Sequence, residues 1–201
     1  MSDAAERRPT LIFLMGAPAV GKMTVGQALA RLTGFQLFHL HQVIDLVLDY
    51  FPYGSPGYLR LVPGYRALFF EEAAKAGMQL ITTGGWLIDD PYDTDCIRRY
   101  TQPYVEVGGR VQFVELLASL ETRLARNRTE NRRRHKKTDW STDAHLRELD
   151  ALWRFDTGGV LPLDFPLLRI DTEHLSAEAT AARIVSELGL PPARSVAFED
   201  A

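Results

Sequence analysis

Short apolar runs alternate along this sequence with longer segments in which apolar residues return every three or four positions. A run of about five apolar residues that ends in a glycine-containing or polar turn is typical of a strand buried on both faces. The longer periodic segments are typical of amphipathic helices. The pattern predicts strands at about 11–15, 35–41, 79–83, 110–117 and 166–170. It predicts helices at about 25–32, 43–51, 65–76, within 89–107, from about 120, at 143–153 and at 177–188.

The alternation of strand and helix determines the expected architecture. Short apolar strands separated by helices are typical of a parallel sheet that is covered by helices on both faces. We therefore expect an α/β fold, a three-layer sandwich with a five-stranded parallel sheet. No internal repeat or long linker divides the sequence, so residues 1–201 are expected to form a single domain. Ligands of such sheets bind at the carboxyl ends of the strands.

Composition narrows the classes of function. The formal net charge of -3 gives no overall attraction for nucleic acid or for an anionic membrane. The single cysteine, Cys96, cannot form an internal disulfide, which favours a reducing compartment. The polar amino-terminal segment lacks the apolar core of a secretory signal, and no apolar run has the length of a membrane span. We expect a cytoplasmic protein without a membrane partner; the sequence indicates no oligomeric state.

The most specific motif is a glycine-rich loop between the first predicted strand and the first predicted helix. Two glycines five positions apart are followed by a lysine, which is the pattern of a phosphate-binding loop. In such a loop the backbone N–H groups and the helix N-terminus converge on the phosphates, and the lysine reaches the outer ones. A chance glycine-rich turn is the alternative, and the flanking strand and helix argue against it. The expected nucleotide contacts are Gly16, Ala17, Pro18, Ala19, Val20, Gly21, Lys22, Met23 and Thr24.

Met23 stands where this motif normally has serine or threonine, whose hydroxyl binds magnesium. A thioether does not replace that ligand. Thr24 comes one position later, where a helix turns its side chain by about 100° away. We therefore expect ATP with a weakly held Mg²⁺, for which Thr24 and Asp89 are the candidate protein ligands. Asp89 also has an alternative interpretation as a turn residue before Pro91.

Taken in order, several segments resemble the P-loop small-molecule kinases, particularly the shikimate kinase-like and adenylate kinase-like branch. They are the glycine-rich loop with its lysine, the stretch 25–30, Gly34, the turn Thr83-Gly84-Gly85, an arginine-rich segment after the fourth strand, and Ile170-Asp171-Thr172 after the fifth. The resemblance implies that ATP binds on the loop and that Gly84 and Gly85 form a substrate-binding turn. It also implies that Asp171 and Thr172 lie near the adenine and that residues from about 126 to 140 form a lid.

One departure from that family concerns the end of the second strand. Shikimate kinases have an Asp-x-Asp pair there, and this sequence has His39 and His41. Asp45 lies one helical turn after His41, which makes it a candidate general base, with His41 as the alternative. Either residue also has a structural interpretation, His41 as a hydrogen-bonded strand-end histidine and Asp45 as a carboxylate near a helix N-terminus. The residues expected around a phosphoryl acceptor are His41, Asp45, Arg60, Arg66, Gly84 and Gly85.

The arginine-rich segment contains Arg123, Arg126, Arg128, Arg132, Arg133 and Arg134. As part of a lid it would place guanidinium groups on the transferring phosphate, and Arg126 and Arg132 are the expected contacts. As a nucleic-acid patch it would need aromatic neighbours, and only Trp140 is close in sequence. As a solvated helix face it would have no role in binding.

These observations favour a phosphotransferase that moves the γ-phosphoryl group of ATP to a small polar acceptor. Lys22, Asp45, His41, Arg126 and Arg132 are its expected catalytic residues. A nucleotide-binding protein without kinase activity, a sensor or slow hydrolase, is the first alternative, because of Met23 and the missing Asp pair. An RNA-binding or RNA-modifying protein is the second, and the composition does not favour it.

Overall fold

The computed structural model describes residues 8–129 and 142–193. Its five strands are β1 (Thr10–Met15), β2 (Gln36–His39), β3 (Gln79–Thr83), β4 (Arg110–Leu117) and β5 (Leu167–Asp171). They form one parallel sheet in the order β2-β3-β1-β4-β5. The predicted fold class is confirmed.

Helices cover both faces of this sheet. They are α1 (Lys22–Thr33), α2 (Leu40–Leu48), α3 (Pro56–Lys75), α4 (Pro91–Glu106), α5 (Leu120–Asn127), α6 (Asp143–Leu152) and α7 (Ala177–Leu188). The central strand β1 is buried on both sides: Leu11 and Phe13 pack with α2, α3 and α4, whereas Ile12 and Leu14 pack with α1 and α7. Burial on both faces explains why β1 is a continuous apolar run in the sequence. Within the described residues, no helix combines the length and the apolar character that a membrane crossing requires.

The second strand is shorter than predicted. It ends at His39, and α2 begins at Leu40, so His41 lies in the first turn of a helix and not in the strand. His39 caps this helix: the His39 backbone N–H donates to the Gln42 side chain (3.2 Å), and the His39 side chain accepts from the N–H of Gln42. The prediction that the second strand extends to about residue 41 is therefore wrong.

The strand register places the glycine-rich loop and the Gly84-Gly85 turn side by side. Leu14 of β1 lies opposite Thr83 of β3 and Val114 of β4. The glycine-rich loop follows β1, and the Gly84-Gly85 turn follows β3, with the Gly84 N–H donating to the Leu14 carbonyl (3.1 Å). Both predicted loops therefore leave the sheet at one edge, where parallel α/β sheets bind their ligands.

Candidate functional site

The P-loop, residues 16–23, contains two glycines in backbone conformations that favour glycine. Gly16 has a φ of 132° and Gly21 a φ of 107°. A Cβ atom on Gly16 would lie 2.3 Å from the carbonyl oxygen of Leu116, so no side chain fits there. Ala19 also has a positive φ, 67°, although it is not a glycine. These conformations turn the loop sharply between β1 and α1.

Lys22 begins α1, and its side chain folds back over the P-loop. The Nζ atom donates to the carbonyl oxygens of Gly16 (2.6 Å) and Ala17 (2.8 Å). These bonds hold the ammonium group across the mouth of the loop, next to the N-terminus of α1. A helix N-terminus and a neighbouring ammonium group both favour an anion. The P-loop therefore combines a positively charged side chain with a helix N-terminus.

The P-loop offers few ligands to a metal ion. Met23 is half-buried in the first turn of α1, where its thioether is a poor ligand for magnesium. Within the described residues, no group of three or more histidine, cysteine, aspartate or glutamate side chains could hold a metal. Thr24, the residue after Met23 in α1, carries the neighbouring side-chain hydroxyl.

Asp89 is bound to an arginine. Arg154 donates from Nε to Asp89 Oδ2 (2.9 Å) and from Nη2 to Oδ1 (2.5 Å), and these bonds lower the pKa of the carboxyl group. A metal ion on Asp89 would have to displace this guanidinium. The neighbouring Ile88 N–H donates to the Arg154 carbonyl (3.0 Å). Asp89 therefore joins the loop after β3 to the segment after α6.

Arg126 and Thr172, which the sequence assigned separately to the nucleotide site, are in contact. Arg126 Nη1 donates to the Val20 carbonyl (2.9 Å) and to Thr172 Oγ1 (3.0 Å), and Nη2 donates to the Thr172 carbonyl (2.6 Å). The Thr172 hydroxyl in turn donates to the Leu117 carbonyl (2.9 Å). One half-buried guanidinium thus links the P-loop to the loop that follows β5. Arg126 belongs to α5; residues 130–140 of the predicted lid, including Arg132, lie outside the described residues.

Glu173, which sequence reasoning missed, fixes the same loop to the start of α5. Its carboxylate accepts from the Ser119 N–H (2.8 Å), the Ser119 hydroxyl (2.8 Å) and the Thr122 hydroxyl. The bonds from Thr122 and Ser119 lower the pKa of Glu173 to about 2. Asp171 is exposed and accepts from the Glu173 N–H (2.8 Å). Ser119 before α5 was an available signal for an N-terminal cap, but nothing in the sequence signals its contact with Glu173.

The structure brings together only some of the residues near β2 that were predicted to surround a phosphoryl acceptor. His39 Nδ1 lies 2.9 Å from the Thr83 hydroxyl, which joins the ends of β2 and β3. His41, exposed, and Asp45, half-buried, lie four residues apart on α2 and so share one face of the helix. Gly84 is buried, and a Cβ there would lie 2.8 Å from a methyl group of Leu40.

Arg60 and Arg66 lie on different faces of α3, because six positions on a helix rotate a side chain by about 600°, or 240° beyond a full turn. Arg60 is exposed. Arg66 Nη2 donates to the Leu40 carbonyl at the start of α2 (2.5 Å), and its Nε atom is buried without a partner among the described residues. Arg66 therefore faces the end of β2, and Arg60 does not.

The described part of the arginine-rich segment is not a free basic surface. Arg123 pairs with Asp150, and Arg128 Nε donates to Asp143 Oδ2 (2.8 Å). Together with the bonds of Arg126, these contacts engage each of the three arginines in α5 and its C-terminal cap with neighbouring elements. They do not support a nucleic-acid patch on this part of the chain.

Glu115 is fully buried in β4 and paired. It accepts from the Thr157 N–H and hydroxyl (both 2.7 Å) and from Arg169 Nε (2.7 Å), which lies opposite it on β5. Arg169 also bonds Asp156 (2.6 Å). This cluster fixes the segment 153–157 over the carboxyl ends of the strands, where it contacts the loops described above.

Comparison with known proteins shows the fold. No family model matches this chain, and no curated protein matches its sequence. A candidate kinase from Chloroflexus aurantiacus is similar in structure, with a TM-score of 0.64, 20% identity, and coverage of 90% of this chain and 98% of that chain. A sugar kinase from Janibacter has a TM-score of 0.58 and 18% identity, and the match covers 90% of this chain and 95% of that chain. A shikimate kinase from Acinetobacter baumannii has a TM-score of 0.53 and 20% identity, and the match covers 94% of this chain and 97% of that chain. The chain therefore has the shikimate kinase-like fold of the P-loop small-molecule kinases.

Proposed function

We propose that this protein is an ATP-dependent phosphotransferase that moves the γ-phosphoryl group of ATP to a small polar acceptor. The observation that carries the proposal is the position of Lys22. Its ammonium group spans the mouth of a glycine-ended loop, 2.6 Å and 2.8 Å from two loop carbonyls, at the N-terminus of α1. Bound phosphates would take over these contacts. The kinase structures with this fold support the same class of reaction.

The chain's own residues would act mainly by positioning and by charge, as phosphoryl transfer requires. The P-loop amides and Lys22 would hold the phosphates. Arg126 would hold the P-loop in place through the Val20 carbonyl. Mg²⁺ would neutralise phosphate charge when bound with the nucleotide. Arg132, from outside the described residues, remains the second proposed phosphate contact.

The acceptor would lie at the carboxyl ends of β2 and β3. Asp45 would orient and partly deprotonate the acceptor hydroxyl, because it lies one turn after His41 on α2. Arg66 faces the same strand end from α3 and has a buried Nε without a partner in the described part of the chain. The exposed Gly85 leaves room for the acceptor beside the P-loop.

The test is ADP release from ATP in the presence of a panel of small hydroxyl compounds, with Lys22→Ala as the inactive reference. The proposal predicts that at least one acceptor raises the rate and becomes phosphorylated. ATP binding without acceptor-dependent turnover across sugars, cyclic carboxylates and nucleosides would contradict it.

A nucleotide-binding protein without transfer activity is the second candidate, and Met23 is the observation that favours it. Met23 removes the hydroxyl ligand that positions magnesium between the phosphates. In that case the protein would bind ATP through the P-loop and release phosphate slowly, at a rate that no acceptor changes. The same assay separates the two candidates.

A further inference from the structure

The helix α3 has an outer face that is both apolar and exposed. Its inner face, which includes Val62 and Phe70, packs in the core beneath the sheet. Leu61, Tyr65 and Leu68 follow one another at helical spacing on the outer side, where they are 40%, 51% and 58% exposed. A helix that is apolar on both sides is normally buried on both. An exposed apolar face of this kind marks a site of association.

The ring of Phe51 extends this outer face toward the start of α3. A Cβ atom on Gly57 would clash with that ring, so Phe51 lies directly on the first turn of the helix. Gly57 is one helical turn before Leu61 and shares its side of α3. Phe51 is itself exposed. The α3 face is defined here as Phe51, Leu61, Gly64, Tyr65 and Leu68.

Gly64 lies at the centre of the α3 face, and the fold of a single chain does not require glycine there. It is in the middle of a regular helix, without a positive φ. Apart from the neighbouring helix backbone, no atom of the described residues lies within 4 Å of the position that a Cβ would take. Glycine in a helix interior is less favourable than alanine. Close approach of another surface to the helix backbone would explain its presence.

The two ends of the α3 face carry opposite charge. Near the N-terminal end, Arg60 is exposed and forms no ion pair within residues 8–129 and 142–193. Near the C-terminal end, Lys75 pairs with both Glu71 (2.6 Å) and Glu72 (2.8 Å), which leaves one negative charge uncompensated. A second copy of the helix in parallel would bring like charges together, whereas an antiparallel copy brings opposite charges together.

A two-fold axis that crosses α3 between Tyr65 and Arg66 would satisfy both the packing and the charges. Residues at equal distances on either side of the axis would then meet. Leu68 of one copy would lie against Gly64 of the other, and Arg60 would lie beside Glu71 of the other copy. A two-fold of this kind brings the same flank of each helix together. Arg60 and Glu71 share a flank, because eleven positions on a helix amount to three turns and about 20°.

A groove of about 490 Å³ between α3 and α4 borders the C-terminal end of the α3 face. The same axis would place the first turn of the second copy's α3 over this end, together with the Phe51 ring that lies on it. An aromatic ring is the kind of side chain that fills the centre of an interface. The groove also adds contact area, since a specific interface buries about 800 Å² on each partner. Its lining includes Ala67, Glu71, Lys75, Arg98, Pro103 and Val107.

We propose that the α3 face is a homodimer interface, occupied by a second copy of this chain in antiparallel orientation. Most homo-oligomers have closed symmetry, and a two-fold dimer is the commonest form. Such an interface uses one surface patch twice, which the opposite charges at its two ends allow. The α3 face lies on the side of α3 that points away from the sheet. The inference therefore does not depend on the proposed function.

The test is sedimentation velocity of the full-length protein over a series of concentrations up to about 0.1 mM. We expect a particle with twice the mass of one chain, which dissociates on dilution. Leu68→Asp places a charge in the interface, and Gly64→Gln blocks the close approach while it raises helix propensity. Each should weaken association by about tenfold or more. Leu152→Asp, at an exposed leucine of α6, is the matched control and should leave association unchanged.

An exchange of charges tests the antiparallel orientation. Arg60→Glu should weaken association by about tenfold, because two carboxylates then meet at each end of the interface. Adding Glu71→Arg to the same chain should restore it, whereas Arg183→Glu, on α7, should have no effect. The proposal is overturned if the native protein remains a single chain at about 0.1 mM. It is also overturned if Leu68→Asp and Gly64→Gln both keep native association, or if Glu71→Arg fails to rescue Arg60→Glu.

Discussion

Arg126 donates hydrogen bonds to both the hydroxyl and the carbonyl oxygen of Thr172, at 3.0 Å and 2.6 Å. The same guanidinium bonds the Val20 carbonyl of the P-loop. A single side chain of α5 therefore ties together two loops that would lie against a bound nucleotide. The resemblance to kinases implies a phosphate contact for Arg126, which stays a prediction, whereas these bonds show that its guanidinium links the two loops.

The first prediction concerns this link. Arg126→Ala should lower the free energy of unfolding by about 1.5–3 kcal/mol, because hydrogen bonds to a charged group contribute that much. It should also weaken ATP binding, since the P-loop loses the bond that holds Val20. Urea unfolding and calorimetry measure the two effects. The control is Arg128→Ala. It removes the arginine two positions after Arg126, whose side chain is 68% exposed. Unchanged stability and affinity in Arg126→Ala would show that the link is dispensable.

The second prediction concerns Lys22. Lys22→Ala should weaken ATP binding by about tenfold or more, because a charge-assisted contact to phosphate contributes roughly 1.5–3 kcal/mol. Lys75→Ala removes an exposed lysine that pairs with Glu71 and Glu72 on α3, and should leave the affinity unaltered. If calorimetry finds equal affinity in folded Lys22→Ala and in the native protein, the nucleotide does not bind on this loop.

The sequence predicts most of the sheet because its signals are local. β3, β4 and α7 have the predicted bounds. Each of the two strands is a short apolar run, the helix has a regular spacing of apolar residues, and glycine or polar residues follow each element. The end of β2 could not be predicted in this way. His39 caps α2 and contacts Thr83, which is distant in sequence, so the boundary depends on a tertiary contact. The pairing of Glu115 with Arg169 likewise requires that β4 and β5 be neighbours in register.

The same distinction applies to the candidate site. The P-loop is a contiguous motif, and the sequence identifies it without help from the fold. The sequence could not predict that Arg123 is buried beside Asp150, because Arg123 lies on α5 and Asp150 on α6, and residues 128–142 separate the two helices. A run of arginines looks uniform in sequence, and packing assigns its members to different partners.

The third prediction follows from Glu173. Its pKa falls from an ordinary 4.5 to about 2, through bonds from Thr122 and Ser119. A carboxyl group whose pKa is lower in the folded protein stabilises the fold above its unfolded pKa and loses that effect as pH falls through its folded pKa. The melting temperature of Glu173→Gln should therefore lie below that of the native protein at neutral pH, and the difference should shrink between about pH 4.5 and 2.

Glu187→Gln on α7 controls for the change in net charge. Thermal unfolding at a series of pH values gives both curves. A difference between Glu173→Gln and the native protein that stays constant from neutral pH to pH 2 would mean that the bonds to Ser119 and Thr122 do not stabilise the carboxylate.

The fourth prediction assigns the general base. With an acceptor in hand, Asp45→Asn should lower turnover by about 100-fold or more, because it removes proton transfer and keeps the size of the side chain. His41→Asn should have a smaller effect, since His41 is exposed on the first turn of α2. Steady-state kinetics of both variants with the same acceptor decide the assignment. A large loss in His41→Asn with near-native turnover in Asp45→Asn would make His41 the base.

The last prediction concerns magnesium. Met23 lies in the first turn of α1, where a hydroxyl would otherwise bind the ion, and Asp89 is engaged by Arg154. Magnesium requires oxygen ligands in octahedral geometry, which a thioether does not supply. The native protein should therefore bind metal-free ATP nearly as tightly as its magnesium complex. Met23→Ser should selectively strengthen binding of the magnesium complex, whereas Met23→Leu, which changes the side chain without adding an oxygen, should not. ATP titrations with magnesium and with a chelator measure this for all three proteins. A strong dependence on magnesium in the native protein that Met23→Ser leaves unaltered would show that another oxygen ligand, such as Thr24, already completes the metal site.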